Sequence, residues 1–169
     1  MLLTPHVAAG VAIASVVPDP RLAIPLAFLS HFVLDAVPHW DDVGLGRLEH
    51  RLERVSSRTF RAILLDALLA LSFVLISVYW AMPDYGAAVT VLFTALAAAL
   101  PDLYYLPLVF FGKRWGWVMW VVRLQSRVQT NAKASKTSGL LSQTALVAAC
   151  LLVVLWQIQI LLPQVWKIP

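Results

Sequence analysis

Two histidines and three aspartates lie within SHFVLDAVPHWDD, residues 30–42, where a long apolar stretch ends. His31 and Asp35 are four residues apart and therefore share one helix face, the spacing with which a helix presents two ligands to one metal ion. On a straight helix His39 would lie about 12 Å from His31. Pro38 disfavours helical geometry at the residue before it, so the chain can fold back there. We therefore predict that this segment supplies ligands to a single ion.

Further titratable residues lie inside or at the start of other apolar stretches. A charged side chain in hydrocarbon is costly, so such residues usually pair or form a functional site. Asp102 follows a proline, and its stretch contains no basic residue that could neutralise it. The predicted metal ligands are His6, His31, Asp35, His39, Asp66 and Asp102. Mixed histidine and aspartate donors suit a divalent transition metal, and we expect zinc or manganese, with iron as the next choice.

Simpler interpretations of the same residues remain open. His31 could be hydrogen-bonded between helices, and Asp66 could pair with Arg58 or Arg61. His50 has charged neighbours and is predicted to lie on a surface. Of the two aspartates that follow Trp40, Asp41 and Asp42, one could be solvated, whereas the other would be the catalytic base or would orient a histidine ligand.

The composition is typical of a protein embedded in a lipid bilayer. Of the 169 residues, 60% are hydrophobic and only 13% are charged, and the mean hydropathy is +0.79. The apolar runs 62–82, 86–111 and 139–162 are each long enough to cross a bilayer, which takes about 20 helical residues. These features predict an all-α, polytopic integral membrane protein.

Two shorter apolar runs, 2–17 and 22–37, precede the long ones. Pro18 and Pro20 separate them and predict a helical hairpin, which brings the total to about five membrane segments. A signal peptide is disfavoured because no lysine or arginine precedes Arg21. The chain is thus predicted to be one membrane domain, 1–169, with a hairpin over 1–38, an interfacial segment over 39–61, two spans over 62–111, a second interfacial segment over 112–138 and a last span over 139–162.

Basic residues predict the orientation of this domain. The interfacial segments carry eleven of the thirteen lysines and arginines, and with five crossings both lie on the side of the N-terminus. The positive-inside rule makes that side cytoplasmic and explains the net charge of +4 without a nucleic-acid partner. Both segments are predicted to form amphipathic helices that lie at the interface, either as anchors or as binders of anionic headgroups. Their predicted apolar stripes are Leu48, Leu52 and Val55 in the first, and Trp117, Val121, Leu124 and Val128, opposite Arg123 and Arg127, in the second.

Several short motifs resemble one protein family. They are Thr4-Pro5-His6, Pro18-Asp19, the stretch from Ser30-His31 through Asp35 to Pro38-His39, and Pro101-Asp102. Together they resemble the small bacterial membrane-bound metal-dependent hydrolases, including the LexA-regulated inner-membrane type, over most of the first 110 residues. The Gly-His-Arg-Gly…Thr-His-Ser stretch typical of that family is missing here, so the segment around His31 would take its place. The resemblance implies a metal site in the bacterial inner membrane rather than a particular reaction.

Two classes of function follow. The first is a membrane-embedded metal-dependent hydrolase at the cytoplasmic interface, where arginines could hold a lipid or isoprenoid phosphate ester and a metal-bound water could attack it. The second is a non-enzymatic membrane subunit or cation-path protein whose polar residues join the helices. A nucleotide-driven activity is disfavoured because the chain has no phosphate-binding glycine loop.

Overall fold

The fold is helical throughout the part of the chain that the structure describes. The structure is a computed structural model, and it describes residues 1–40, 57–104, 111, 113–129 and 134–165. Within these ranges there are six helices: α1 (Leu3–Val16), α2 (Pro20–Asp35), α3 (Ser57–Ala81), α4 (Tyr85–Leu103), α5 (Gly116–Gln129) and α6 (Lys136–Val165). The predicted all-α class is confirmed. Asp41, Asp42 and His50, with most of the predicted interfacial segment 39–61, lie outside the described residues.

The first two helices form the predicted hairpin. α1 ends at Val16, and α2 begins at Pro20, a position in a helix where the missing N–H of proline is not needed. The Asp19 side chain caps α2 by accepting a hydrogen bond from the backbone N–H of Arg21 at 2.9 Å. The local turn chemistry therefore explains why two short apolar runs fold back on each other.

Three helices are long and apolar enough to cross a membrane, namely α3, α4 and the part of α6 over Lys136–Ile158. α1 and α2, with 14 and 16 residues, are shorter than the length of about 20 residues that a perpendicular crossing needs. On α3 the outward side chains Leu65 and Leu69 are each 62% exposed. A continuous apolar surface of this kind is unusual in water and is expected against lipid tails. The structure is therefore consistent with a membrane protein.

The centre of the bundle is α1, which packs against α2, α3, α4 and α6. It passes close to α4 at Gly10, where a Cβ atom would lie 2.7 Å from the carbonyl oxygen of Thr94 and 3.0 Å from the Cβ of Ala98. Small residues allow helices to approach this closely when lipid surrounds them. The crossing at Gly10 draws the start of α1 towards the end of α4, and His6 is therefore close to Asp102.

Two helix ends determine where charged residues lie. α3 covers Ser57–Ala81, so Arg58 and Arg61 belong to its first turns. α4 ends at Leu103 rather than near 111, and Pro101 lies inside its last turn. Pro101 has no N–H to donate to the carbonyl four residues earlier, and α4 ends two residues after it. Asp102 is consequently at a helix end.

The face of α5 that packs on the protein is offset by one residue from its predicted membrane-facing stripe. The buried side chains are Val118, Val122 and Gln125, whereas Trp117 is 51% exposed and Leu124 is 37% exposed. The buried face packs on α2. Periodicity alone cannot distinguish an apolar face that contacts protein from one that faces lipid, and here the tryptophan side is the outer one.

Candidate metal centre

The site begins with the last turns of α2. His31 and Asp35 lie one helical turn apart with fully buried side chains, and the Nε2 atom of His31 is 3.3 Å from Oδ2 of Asp35. α2 ends at Asp35, shortly before Pro38, so both residues keep helical spacing. This pair is arranged on one face as the sequence predicts.

The contact of His31 with α4 determines which ring nitrogen is available to a ligand. Its Nδ1 atom lies 2.8 Å from the carbonyl oxygen of Ala98. A carbonyl oxygen only accepts, so Nδ1 carries the proton and donates this hydrogen bond. In the neutral ring the Nε2 lone pair then faces the cluster. A backbone carbonyl on the far nitrogen is the usual way in which a metal-binding histidine is oriented.

His6, from the first turns of α1, stacks on His31. The ring centroids are 3.8 Å apart, and Nε2 of His6 is 3.3 Å from Oδ1 of Asp35. That approach lacks the alignment of a hydrogen bond, and among the residues that the structure describes neither ring nitrogen of His6 has a hydrogen-bond partner, although the side chain is fully buried. Buried polar atoms are nearly always paired in native proteins. The two nitrogens of His6 therefore point to a partner outside the chain's own hydrogen bonds.

Asp102 completes the group from the end of α4. Its Oδ1 atom is 3.7 Å from Nε2 of His31, and its side chain is 22% exposed, so this side of the cluster is partly open. One ligand atom from each of His6, His31 and Asp102 lies within 4.8 Å of the others, and this buried cluster could hold a metal ion. Bonds of about 2.0–2.2 Å to one ion would bring these atoms to roughly 3.3 Å from each other, which requires small side-chain movements. Two histidines and one carboxylate form the ligand set of catalytic zinc sites and of non-haem iron sites.

Asp35 lies against both imidazoles and also accepts a hydrogen bond from the amino group of Met1 at 3.0 Å. Asp35 and Asp102 both approach the same nitrogen of His31, so their carboxylates are within roughly 7 Å of each other, below the limit of about 10 Å for a shared site. The structure thus brings together four of the six predicted ligand residues, His6, His31, Asp35 and Asp102.

Asp66 contacts the backbone at the start of α1. Its carboxylate accepts hydrogen bonds from the backbone N–H groups of Leu3 and Thr4 and from the hydroxyl of Thr4. The first N–H groups of a helix have no intrahelical partner, and Leu2 at the N-cap offers no side-chain acceptor. Asp66 therefore caps α1 from a neighbouring helix, a role that the sequence did not indicate. Its predicted role as a ligand stays a prediction.

His39 lies in the turn after α2. Its Nδ1 atom donates to the carbonyl oxygen of Val37 at 2.7 Å, and its own carbonyl accepts from the backbone N–H of Ala134. The start of α6 packs against this turn at Gly139, where any Cβ atom would collide with Trp40. The group of residues close enough to share an ion, as far as the chain is described, does not include His39.

Gln125 is a site residue that sequence reasoning missed. It is fully buried on α5, and its Nε2 atom is 2.7 Å from Nε2 of His31. Gln125 continues the i, i+4, i+7 series that begins with Val118 and Val122. The sequence could have indicated Gln125 only if this series had been known to face the protein.

Comparison of the chain with protein-family models, with curated proteins and with solved structures finds no match.

Proposed function

We propose that this chain is a membrane-embedded, metal-dependent hydrolase that binds one divalent metal ion through His6, His31 and Asp102. The observation that carries the proposal is the buried His6 ring, which stacks on a second histidine beside two aspartates and has no hydrogen-bond partner in the described part of the chain. A metal ion is the partner that would pair such a nitrogen. Two histidines and one carboxylate would also leave a coordination position for water or substrate.

The surrounding residues support this chemistry. A divalent metal held by the triad would supply a Lewis acid and a water activated near neutral pH. Asp35 lies 3.3 Å from Nε2 of each imidazole, which at His31 is the nitrogen that would bind the ion, so its charge together with that of Asp102 would balance a divalent ion. The partly exposed side of Asp102 is the side from which a substrate would enter. The proton acceptor in this proposal is Asp41 or Asp42, which follow the turn after α2 in the chain.

The proposed substrate is a phosphate ester of a membrane lipid or isoprenoid. His6 lies at the start of α1, and His31 and Asp102 lie at the ends of α2 and α4, so the cluster is at one end of the bundle. The start of α3 and the part of α5 around Gln125 lie near the same end, since Asp66 bonds to the start of α1 and Gln125 contacts His31. The basic residues of these two helices are Arg58, Arg61, Arg123 and Arg127. Arginine is well suited to hold a phosphate group.

The topology of the proposal has five membrane segments. α1 and α2 would then cross as a short hairpin, α5 would lie at the interface, and the N-terminus would face the cytoplasm of a bacterium with the C-terminus outside. The distribution of the basic residues supports this orientation, since it assigns the end that contains the cluster to the cytoplasmic side.

A second candidate function is a non-enzymatic membrane subunit in which protons, instead of a metal, join the cluster. The observation that favours it is that Asp35 lies 3.3 Å from Nε2 of both His6 and His31, so a proton on either ring would pair with the carboxylate. If His6 or His31 carried a second proton, ion pairs with the aspartates would join α1, α2 and α4 without any metal.

Metal content distinguishes the two candidates. Elemental analysis of the purified, detergent-solubilised protein should find one transition-metal ion per chain in the wild type. His6→Ala and Asp102→Asn should retain less than about a tenth of it, because each removes a ligand. His39→Ala is the matched control, since it removes a buried histidine outside the triad, and it should keep the wild-type content.

Activity is tested separately with mixed lipid extracts. The wild type, incubated with and without chelator, should give chelator-sensitive hydrolysis products by mass spectrometry, and Asp102→Asn should give none. A wild-type protein without metal, whose Asp102→Asn variant folds normally and leaves the lipids unchanged, would reject the hydrolase in favour of the structural subunit.

A further inference from the structure

One side chain in the cluster has no role in the proposed hydrolase, namely that of Gln125. It reaches the cluster from α5, which packs on α2, and its amide nitrogen lies 2.7 Å from Nε2 of His31. This is the nitrogen that a metal would need, because Nδ1 of His31 already donates to the carbonyl of Ala98. The Gln125 amide therefore occupies the coordination side of the ring.

The other end of the same amide is unsatisfied. Oε1 of Gln125 is buried and has no hydrogen-bond partner among the residues that the structure describes. Gln143, a second buried glutamine, shows the ordinary arrangement: its Oε1 atom accepts from Leu2 at 2.8 Å, and its Nε2 atom donates to the carbonyl of Trp40 at 2.9 Å. A buried amide that is satisfied at one end only is unusual and points to a missing partner.

The polarity of the His31 nitrogen decides which end of the amide should face it. An uncharged Nε2 with a free lone pair accepts a hydrogen bond from the Gln125 NH₂ group. A cation at Nε2 repels the NH₂ end and attracts the carbonyl end. The two ends of an amide have nearly the same shape, so a rotation about the last side-chain torsion exchanges them while α5 stays in place.

We propose that Gln125 is the fourth protein ligand of the metal and binds it through Oε1. The inference rests on the proposed metal site and extends it to a donor set of two imidazole nitrogens, one carboxylate oxygen and one amide oxygen. Oxygen donors favour manganese, whereas zinc is satisfied by nitrogen donors and a water. Gln125 is thus a specificity-determining residue that raises the affinity for manganese relative to zinc.

The test measures the dissociation constants of Mn²⁺ and Zn²⁺ for the full-length protein in detergent, with free Mn²⁺ followed by electron paramagnetic resonance. Gln125→Leu should weaken Mn²⁺ binding about tenfold or more and Zn²⁺ binding less, so the ratio of the two constants should change. Gln125→Glu should bind Mn²⁺ at least as tightly as the wild type, because a carboxylate replaces the amide oxygen. Gln143→Leu is the matched control and should leave the ratio unchanged.

A packing role for Gln125 would alter stability without altering the ratio of the two dissociation constants. An unchanged ratio in Gln125→Leu, together with lost binding in His6→Ala, would overturn the fourth ligand and leave the metal site standing. If Gln125→Leu does not fold, the test uses Gln125→Glu instead. An Mn²⁺ affinity of Gln125→Glu below that of the wild type overturns the inference. A wild-type protein that binds neither ion overturns both proposals.

Discussion

Replacing Asp66 separates a helix cap from a metal ligand. The carboxylate accepts two backbone hydrogen bonds from the start of α1 and a third from the hydroxyl of Thr4. Asp66→Ala leaves the N–H groups of Leu3 and Thr4 without these acceptors and removes a negative charge from the positive end of the helix dipole. Each unpaired, partly buried donor costs about 1–3 kcal/mol, so for these two N–H groups we expect the free energy of unfolding to fall by roughly 2–6 kcal/mol.

Asp66→Asn is the conservative partner of that variant. Its single amide oxygen can keep the bonds from Thr4, but the N–H of Leu3, which bonds to the other oxygen of Asp66, then faces an NH₂ group. Asp66→Asn should therefore cost about 1–3 kcal/mol, less than Asp66→Ala. Reversible unfolding in mixed detergent micelles, followed by circular dichroism, measures both variants. Measurements with chelator present exclude any contribution of bound metal to the unfolding free energy.

Metal content supplies the second half of this test. Because Asp66 contacts the α1 backbone, Asp66→Asn should retain the metal content of the wild type, whereas Asp102→Asn should lose it. A stable Asp66→Asn variant without metal would show that Asp66 is a ligand, as the sequence predicts. Wild-type stability in Asp66→Ala would refute the capping argument.

Two further predictions concern packing and topology. Gly10→Ala should lower the free energy of unfolding by about 1–3 kcal/mol, because its Cβ would lie 2.7 Å from the carbonyl oxygen of Thr94. Gly116→Ala is the control and should be neutral or stabilising, because a Cβ atom at Gly116 would meet open space. Equal losses of stability in the two variants would contradict the close crossing. Reporter fusions after Val55 and after Asn131 should both report a cytoplasmic location, and a periplasmic signal from either would overturn the proposed orientation.

Local features of the chain were readable from its sequence. Apolar run length and the prolines around Asp19 determine the helical class and the first hairpin, because both act within a few residues. The spacing of His31 and Asp35 places them on one face for the same reason. These predictions depend on helix geometry alone, so they hold whichever way the helices pack.

The partners of each polar residue were decided by helix packing. Asp66 and Asp102 look alike in sequence, as single acids in apolar runs, yet one faces the N-terminus of α1 and the other faces His31. The close crossing at Gly10 produces this difference, since it sets which parts of α1, α3 and α4 lie opposite each other. The contact between Gln125 and His31 joins residues 94 positions apart, and no helical period encodes such a contact. Periodicity describes one helix at a time, whereas the candidate site is formed by four of them.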